Sequence, residues 1–377
     1  MPKSEKTVRV NKEKNMLRMS VTVVVLVFYL IIPPICMGRE ADDDYSQSRE
    51  KYFAKPGVNN CFTAPENWPS NNNVPPSNRA PKNAKSFAVV LGSGLPNPNP
   101  YRLGPSFAVV SNGYPYFIDC GEGAWRGMAN ACLVNGDWLT KAFDLNKMKY
   151  LFLTHLHCDH TVGIPSWILN AYKHGSKASK EIYGPAGTKS MMEHILEAWT
   201  IDITEMWEGT MRSPVDGVTV ATHEIERDGL IFQDENVKVF AYRKYHGQIK
   251  DNFAYRFECA DGRIFAFTGD GFFSPGTIKA AKHADVVFIE AFSKDNTATA
   301  NWAHGSAEDV EYITHAYHLW PEEMAMIQKN SEAKTFVLIH EQDYALPDKY
   351  SRNGLLEECK RAGVVEPVFS SVDGDVY

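Results

Sequence analysis

The feature that most constrains this chain is an apolar run, Leu151-Phe-Leu-Thr154, that leads directly into His155-Leu-His157-Cys-Asp159-His160. Four of these last six positions carry imidazole or carboxylate side chains, which can bind metal ions. Side chains alternate along an extended backbone, so His155 and His157 share one side and can bind the same ion. Asp159 and His160 follow the strand and can turn toward a second ion. The motif therefore predicts a metal site at the end of a buried strand.

A layered α/β fold with one core is the expected frame for this site. From Ser86 onward, short apolar runs alternate with turn residues and helical patterns. A poorly patterned insertion, Glu205–Glu235, is interpreted either as a lid over the site or as satellite core. The predicted helices are Ile164–Lys173, Thr188–Ala198, Thr277–Lys282 and Ala307–Tyr317, and the predicted strands are Phe87–Leu91, Phe107–Val110, Tyr116–Ile118, Tyr150–Thr154, Glu181–Tyr183, Val237–Tyr242, Ala254–Phe257, Ile264–Phe267, Val286–Ile289 and Phe336–Ile339.

The N-terminal region has the pattern of an export signal. A basic segment precedes the apolar run Val21–Ile32, which two prolines end, and cleavage after Gly38 is expected. An uncleaved membrane anchor over residues 19–37 is the alternative. The predicted organisation is a signal peptide or anchor (1–38), a polar Asn/Pro-rich linker (39–85) and a folded domain (86–377), in a secreted or periplasmic protein. Disulfide bonds and free thiols are both possible for Cys61, Cys120, Cys132, Cys158, Cys259 and Cys359.

The overall charge argues against a polyanionic substrate. The formal net charge is -7 and the pI is near 6.0, so the chain carries no general basic surface for RNA or DNA. We therefore expect no nucleic acid partner. A homodimer stays open, and a membrane contact is expected only through an uncleaved N-terminal segment.

The motif His155–His160 resembles the signature of the metallo-β-lactamase superfamily, and further motifs follow in that family's order. They are Leu91-Gly-Ser-Gly-Leu-Pro96, Phe117-Ile-Asp-Cys-Gly-Glu-Gly123, His246 at a strand end, Phe267-Thr-Gly-Asp270-Gly271, and His340 after a strand. The resemblance implies an α/β fold, the αβ/βα four-layer sandwich. It also implies that His155, His157 and His246 hold one ion, that Asp159, His160 and His340 hold another, and that Asp270 bridges both. Imidazole and carboxylate ligands suit zinc best, so two Zn²⁺ ions are expected, although iron and manganese also fit.

Three further segments resemble the ribonuclease Z and arylsulfatase-like branch. They are Gly184-Pro-Ala-Gly-Thr188, Asp285-Val-Val-Phe-Ile-Glu290-Ala291 and Ala303-His304-Gly-Ser-Ala307. In that branch a histidine donates a proton and an acidic residue orients it, and His304 with Glu290 match these places. A loop role for His304 and a solvated role for Glu290 stay open. Together with Asp159, these two are the predicted catalytic residues.

Two departures from the branch stand out in this sequence. The segment Gly247–Gly269 holds little more than a hairpin, where ribonuclease Z enzymes carry a long arm that grips tRNA. Gly271 replaces the family's usual threonine. His315 and His318 are interpreted as members of an amphipathic helix, not as a further site.

The expected activity is hydrolysis of a small-molecule ester by a metal-bridging hydroxide. A sulfate ester or phosphodiester is the first choice, and lactone or amide hydrolysis is the second. An RNA-processing nuclease of the ribonuclease Z type and a non-catalytic metal-binding protein are the remaining alternatives.

Overall fold

Two β-sheets with helices on their outer faces make up this protein in a computed structural model. The structure describes residues 75–96, 99, 101–209, 211–294, 307–341 and 352–377. The predicted signal, most of the linker, Cys61 and His304 lie outside the described residues. No helix in these ranges is both long enough and apolar enough to cross a membrane.

The first sheet has six strands in the order β1-β2-β3-β4-β5-β6. The pairs β1–β2 and β2–β3 are antiparallel, and the pairs from β3 to β6 are parallel. The tight turn between β2 and β3 uses Asn112 and Gly113, whose φ angles of 51° and 74° suit the hairpin's twist. The strands are β1 (Ser86–Gly92), β2 (Ser106–Ser111), β3 (Tyr114–Cys120), β4 (Tyr150–Phe152), β5 (Lys180–Gly184) and β6 (Val220–Glu224).

The second sheet has seven strands in the order β13-β12-β11-β10-β9-β8-β7. Pairs from β7 to β10 are antiparallel, and pairs from β10 to β13 are parallel. The strands are β7 (Gly229–Gln233), β8 (Val237–Arg243), β9 (Phe253–Cys259), β10 (Ile264–Phe267), β11 (Val286–Glu290), β12 (Phe336–Ile339) and β13 (Val368–Ser370).

Ten helices lie in the described part of the chain, and many of them cover the outer faces of the sheets. They are α1 (Ala124–Asn135), α2 (Asp137–Ala142), α3 (Cys158–Thr161), α4 (Ile164–Lys173), α5 (Thr188–Ala198), α6 (Thr200–Glu208), α7 (Pro275–Ala281), α8 (Ala307–Tyr317), α9 (Pro321–Ser331) and α10 (Arg352–Arg361). One core joins α1 and α4 to the first sheet, and another joins α7, α9 and α10 to the second. The predicted α/β class and four-layer sandwich are confirmed.

Aromatic side chains fill the core between the two sheets. Phe107 from the first sheet lies 5.5 Å from Phe267 of the second, and Phe267 stacks on Phe288 at 4.6 Å, as measured between ring centroids. Each fully buried side chain of this size contributes roughly 1.5–3 kcal/mol. This packing fixes the strands that carry the polar residues at their ends.

The insertion Glu205–Glu235 does not act as a single element. It contains the end of α6 and the strands β6 and β7, which belong to different sheets. Met206 and Phe232 pack on the cores, whereas Trp207 and Met211 are exposed. The satellite-core interpretation therefore fits part of the insertion, and its edge strands account for the weak sequence pattern.

Candidate metal centre

Three histidines meet where β4 and β8 end. His155 and His157 follow β4, with extended backbone at His157, and His246 follows β8. The ring nitrogen Nδ1 of His157 lies 3.0 Å from Nε2 of His155 and 3.0 Å from Nε2 of His246. We call His155, His157 and His246 the histidine cluster; one nitrogen from each lies within 4.8 Å of the others.

Hydrogen bonds outside the histidine cluster decide where its protons lie. Nδ1 of His246 donates to the carbonyl oxygen of Tyr317 at 2.6 Å, so its Nε2 carries a lone pair. The hydroxyl of Thr154 donates to Asp119, so Nδ1 of His155, 3.0 Å away, donates to that hydroxyl. Nε2 of His155 then also carries a lone pair. Two lone pairs converge on His157 Nδ1, which has at most one proton to share, and a cation satisfies all three nitrogens.

A second group of ligands, the carboxylate cluster, consists of Asp159, His160, Asp270 and His340. His340 Nε2 lies 3.1 Å from Asp159 Oδ2 and 3.2 Å from Asp270 Oδ2. His160 Nε2 lies 3.4 Å from Asp270 Oδ1 and 3.6 Å from Asp159 Oδ2. The two clusters adjoin each other, because the rings of His155 and His160 are 4.2 Å apart.

Asp119 orients the carboxylate cluster from behind. Its Oδ2 accepts a hydrogen bond from Nδ1 of His160 at 2.8 Å, and its Oδ1 accepts one from the backbone N–H of Thr154 at 2.8 Å. With its proton on Nδ1, His160 turns a lone pair on Nε2 toward the carboxylates. That Nε2 is buried and has no hydrogen-bond partner among the described residues. The donor set therefore fits a divalent cation, and a histidine oriented by a carboxylate is the usual support for a metal ligand.

The backbone is strained at two residues of this site. Asp119 and His340 both have φ of 52°, a left-handed conformation that costs of order 1–3 kcal/mol in a non-glycine residue. Local hydrogen bonds hold both residues, and the backbone N–H of His340 donates to the carbonyl of Ser93 at 3.0 Å. Such strain concentrates at functional sites, which agrees with the ligand geometry.

The two clusters differ in their electrostatics. Burial lowers the pKa of His246 to about 3 and lowers the pKa of His155 well below its usual value. Burial also opposes protonation of His160, but Asp270, Asp119 and Asp159 raise its pKa well above the usual value. The carboxylates thus attract a positive charge to this cluster, and a divalent cation supplies it in place of a proton.

Glu290, at the end of β11, pairs with a histidine that the sequence interpretation missed. Nδ1 of His318 donates to Glu290 Oε2 at 2.7 Å, and the His318 ring stacks on Phe292 at 3.8 Å. Glu290 also accepts from the backbone N–H of Gly271. One ligand atom from each of Asp270, Glu290, His318 and His340 lies within 4.8 Å of the others. Glu290 is therefore not a solvated residue, and His318 adjoins the carboxylate cluster.

The interpretation of His318 as part of an amphipathic helix is wrong, because α8 ends at Tyr317 and His318 lies in the connection to α9. Trp320-Pro321-Glu322-Glu323 marks the start of α9, with proline in the first turn and Glu323 accepting from the Trp320 N–H at 2.9 Å. This start signal could have separated His318 from the preceding helix. His304 lies outside the described residues, so its predicted pairing with Glu290 stays a prediction.

Two nearby expectations have clear outcomes. Gly247–Gly269 contains only β9 and β10, as the sequence predicts. Cys158, between the ligands in sequence, is exposed, and the cysteines in the described ranges are free thiols: Cys120, Cys132, Cys158, Cys259 and Cys359.

Comparison with known proteins places this site in a family. The sequence profile of the beta-lactamase superfamily domain matches residues 116–340. The chain is 32% identical to the ribonuclease Z of Methanococcus maripaludis over 158 residues, which is 41% of this chain and 44% of that protein. It is 26% identical to the ribonuclease Z of Mycobacterium marinum over 259 residues, 67% of this chain and 85% of that protein. The chain thus spans under half of the first relative and most of the second.

Solved structures with a similar fold include a metallo-β-lactamase fold protein, YhfI, from Bacillus subtilis. It has a TM-score of 0.55 and 16% identity, and covers 78% of this chain and 98% of its own. The short form of human tRNase Z has a TM-score of 0.52 and 22% identity, and covers 77% of this chain and 98% of its own. At these identities the likeness establishes the fold alone.

The relatives contradict the predicted substrate. A small sulfate ester or phosphodiester was expected, no nucleic acid partner was expected, and an RNA-processing nuclease was only an alternative, whereas the two curated relatives above are ribonucleases by name. The expectation depended on the net charge of -7, which is a sum over the whole chain and does not describe the field at one site.

Because the profile match covers more than half of the 377 residues and the fold agrees with it, this chain belongs to the metallo-β-lactamase superfamily, and the curated relatives to which it is similar are ribonuclease Z proteins.

Proposed function

We propose that this chain is a nuclease that hydrolyses phosphodiester bonds in RNA with two divalent cations, most simply Zn²⁺. The names of the curated relatives support RNA as the substrate class. The two ligand clusters support a hydrolytic metal site, and each cluster offers the ligands for one ion.

The observation that carries the proposal is the His318–Glu290 pair beside the carboxylate cluster. RNA cleavage releases a ribose oxygen, which departs poorly without a proton. Such a donor contributes about 10²–10⁴ in rate. Because Nδ1 of His318 is held by Glu290 at 2.7 Å, the proton that the imidazolium form of His318 would transfer is the one on Nε2. We assign the donor role to His318 in place of His304.

The roles of the remaining side chains follow from their positions in the two clusters. His155, His157 and His246 would hold one ion, Asp159, His160 and His340 the other, and Asp270 would contact both. When bound, two divalent cations would supply a hydroxide nucleophile and would neutralise charge on the phosphate. Asp119 keeps the lone pair of His160 directed at the cluster, and Glu290 keeps His318 in one orientation beside it.

The acidic net charge does not oppose this function. Asp119, Asp159, Asp270 and Glu290 contribute at most four negative charges at or beside the clusters, whereas Lys244 and two divalent cations would contribute five positive ones. A phosphate then meets a locally positive site, whatever the charge of distant surfaces. The hairpin β9–β10 leaves no long arm in this segment, so we expect weaker selection for folded tRNA than such an arm would give.

The direct test is cleavage of RNA by the purified chain loaded with Zn²⁺. Three substrates of matched label would be compared: a precursor tRNA with a 3′ extension, an unstructured RNA and a DNA of the same sequence. Asp270→Ala serves as the inactive control. Metal-dependent cleavage of either RNA is expected. Protein that binds two ions but leaves both RNAs intact would refute the nuclease proposal.

A further inference from the structure

A buried lysine lies directly beneath the loop that carries Asp270. Lys244 follows the end of β8, and the residue is only 3% exposed. Its ammonium group Nζ donates to the carbonyl oxygen of Gly269 at 3.2 Å and to that of Gly271 at 3.4 Å. These two carbonyls are on either side of Asp270 in the chain. One cation thus holds both ends of the turn that presents a predicted ligand.

Gly271 makes the room that Lys244 needs. A Cβ atom at position 271 would lie 2.1 Å from the carbonyl oxygen of Tyr245 and 2.8 Å from Cε of Lys244. The φ angle of Gly271 is 131°, which side-chain-bearing residues rarely adopt. The replacement of the family's usual threonine by Gly271 is therefore matched by the lysine stem that passes beside it.

The rest of the turn is held in the same way. The carbonyl of Asp270 accepts from the side-chain amide of Asn252 at 2.7 Å, and the N–H of Gly271 donates to Glu290. With Lys244 on Gly269 and Gly271, three successive carbonyls have side-chain donors. The turn has little freedom to move the Asp270 carboxylate away from His160 and His340.

We propose that Lys244 is a positioning residue for the carboxylate cluster, which fixes Asp270 by clamping the Gly269–Gly271 turn through space left open by Gly271. The proposal concerns the metal centre and does not depend on RNA being the substrate. Its consequence is asymmetric. Loss of the clamp should weaken binding of the ion in the carboxylate cluster most, and should affect the other ion less, because that ion would keep its three histidine ligands.

The test is a zinc titration of Lys244→Met against a chromophoric chelator, with stepwise affinities for the first and second ions. Met retains the apolar stem and removes the donors. We expect the affinity for the second ion to fall 10–100-fold, which is roughly the effect of removing a residue that supports a metal ligand. The affinity for the first ion, which would keep its three histidine ligands, should fall much less. Turnover should show a lower kcat with little change in KM on any hydrolysed substrate.

Lys238→Met, an exposed lysine of the same strand β8, is the matched control and should leave both affinities unchanged. Lys244→Gln, which keeps a shorter donor, covers the case in which the Met variant does not fold, and should show a smaller loss confined to the second ion. Unchanged or tighter binding of the second ion in either folded variant would overturn the proposal. An equal loss of both ions would do so as well, since it indicates general destabilisation.

Discussion

The two ligand clusters of this site are neighbours, but they are built on opposite principles. Around the histidine cluster, uncharged groups fix the rings: the Thr154 hydroxyl for His155 and the Tyr317 carbonyl for His246. The carboxylate cluster contains two aspartates and is bordered by Asp119, Glu290 and the buried Lys244.

Because of this difference, we expect the histidine cluster mainly to retain its metal ion and the carboxylate cluster mainly to take part in the reaction. Three neutral imidazoles, those of His155 and His246 buried and that of His157 half-buried, make a site that needs only a cation to be satisfied. The carboxylate cluster adjoins the His318–Glu290 pair, and several charges must be balanced for it to work. Changes in the carboxylate cluster should therefore alter activity most, and those near the histidine cluster should alter stability.

The largest effect is expected for Asp270→Ala. The variant removes a ligand of the carboxylate cluster and leaves the histidine cluster intact, so it should keep one ion and fall to background activity. Metal analysis with a nuclease assay on the same sample measures both. Two tightly bound ions in this variant would contradict the division into clusters.

His318→Ala should reduce RNA cleavage by about 10²–10⁴ and leave the metal content unchanged. A nitrophenyl phosphodiester should be affected far less, because its leaving group departs without a proton. His304→Ala is the matched comparison and should lose much less on RNA. A larger loss at His304 than at His318 would return the proton-donor role to His304.

Asp119→Asn should lower the affinity for the second ion by roughly 10–100-fold, since an amide lacks the negative charge that holds His160. The first ion should be affected less, although Thr154 connects Asp119 to His155. Asp261→Asn is the control: this carboxylate accepts from Ser86 in a similar way, away from the clusters. Chelator competition separates the two ions, and equal losses would show that Asp119 serves the whole site.

The smallest effect concerns pH and the metal-free protein. Burial holds the pKa of His246 at about 3 in the folded state, against about 6.5 when unfolded. The unfolded chain binds the extra proton between these values, so this residue's contribution to stability falls as pH drops from 6.5 toward 3. His246→Phe should flatten that decline by at most ~1.4 kcal/mol per pH unit.

Chemical unfolding at several pH values measures this slope. His194→Phe, on an exposed face of α5, provides the control and should leave the slope unchanged. If His246→Phe also leaves it unchanged, the neutral, lone-pair state assigned to His246 is wrong.

The strands of the centre were largely predictable from local sequence, for a physical reason. Short, continuous apolar runs indicate buried strands, and Ile264–Phe267 and Phe336–Ile339 match the predicted bounds. The motif His155–His160 indicates metal ligands by its own residue types, whereas His246, Asp270 and His340 were assigned by resemblance to the family. His318 was not predictable in this way. Its role depends on a contact with Glu290, 28 residues earlier, that only tertiary packing creates. Edge strands such as β6 and β7, half exposed, also lack the alternation that marks a strand.

The substrate was the other failure, and its cause is similar. Net charge is a property of composition, whereas RNA recognition depends on the local field and shape of one surface. Gly271 illustrates the same limit at small scale. The sequence shows only that it replaces the family's usual threonine, and the structure shows Lys244 beside the space it leaves.

Anomalous diffraction at the zinc absorption edge, on crystals of the metal-loaded protein, tests the central claim most directly. The account predicts two peaks: one among His155, His157 and His246, and one among Asp159, His160, Asp270 and His340. A single peak would contradict a two-ion centre. A second peak displaced onto Glu290 and His318 would contradict it too, because it would make His318 a ligand and leave no proton donor there.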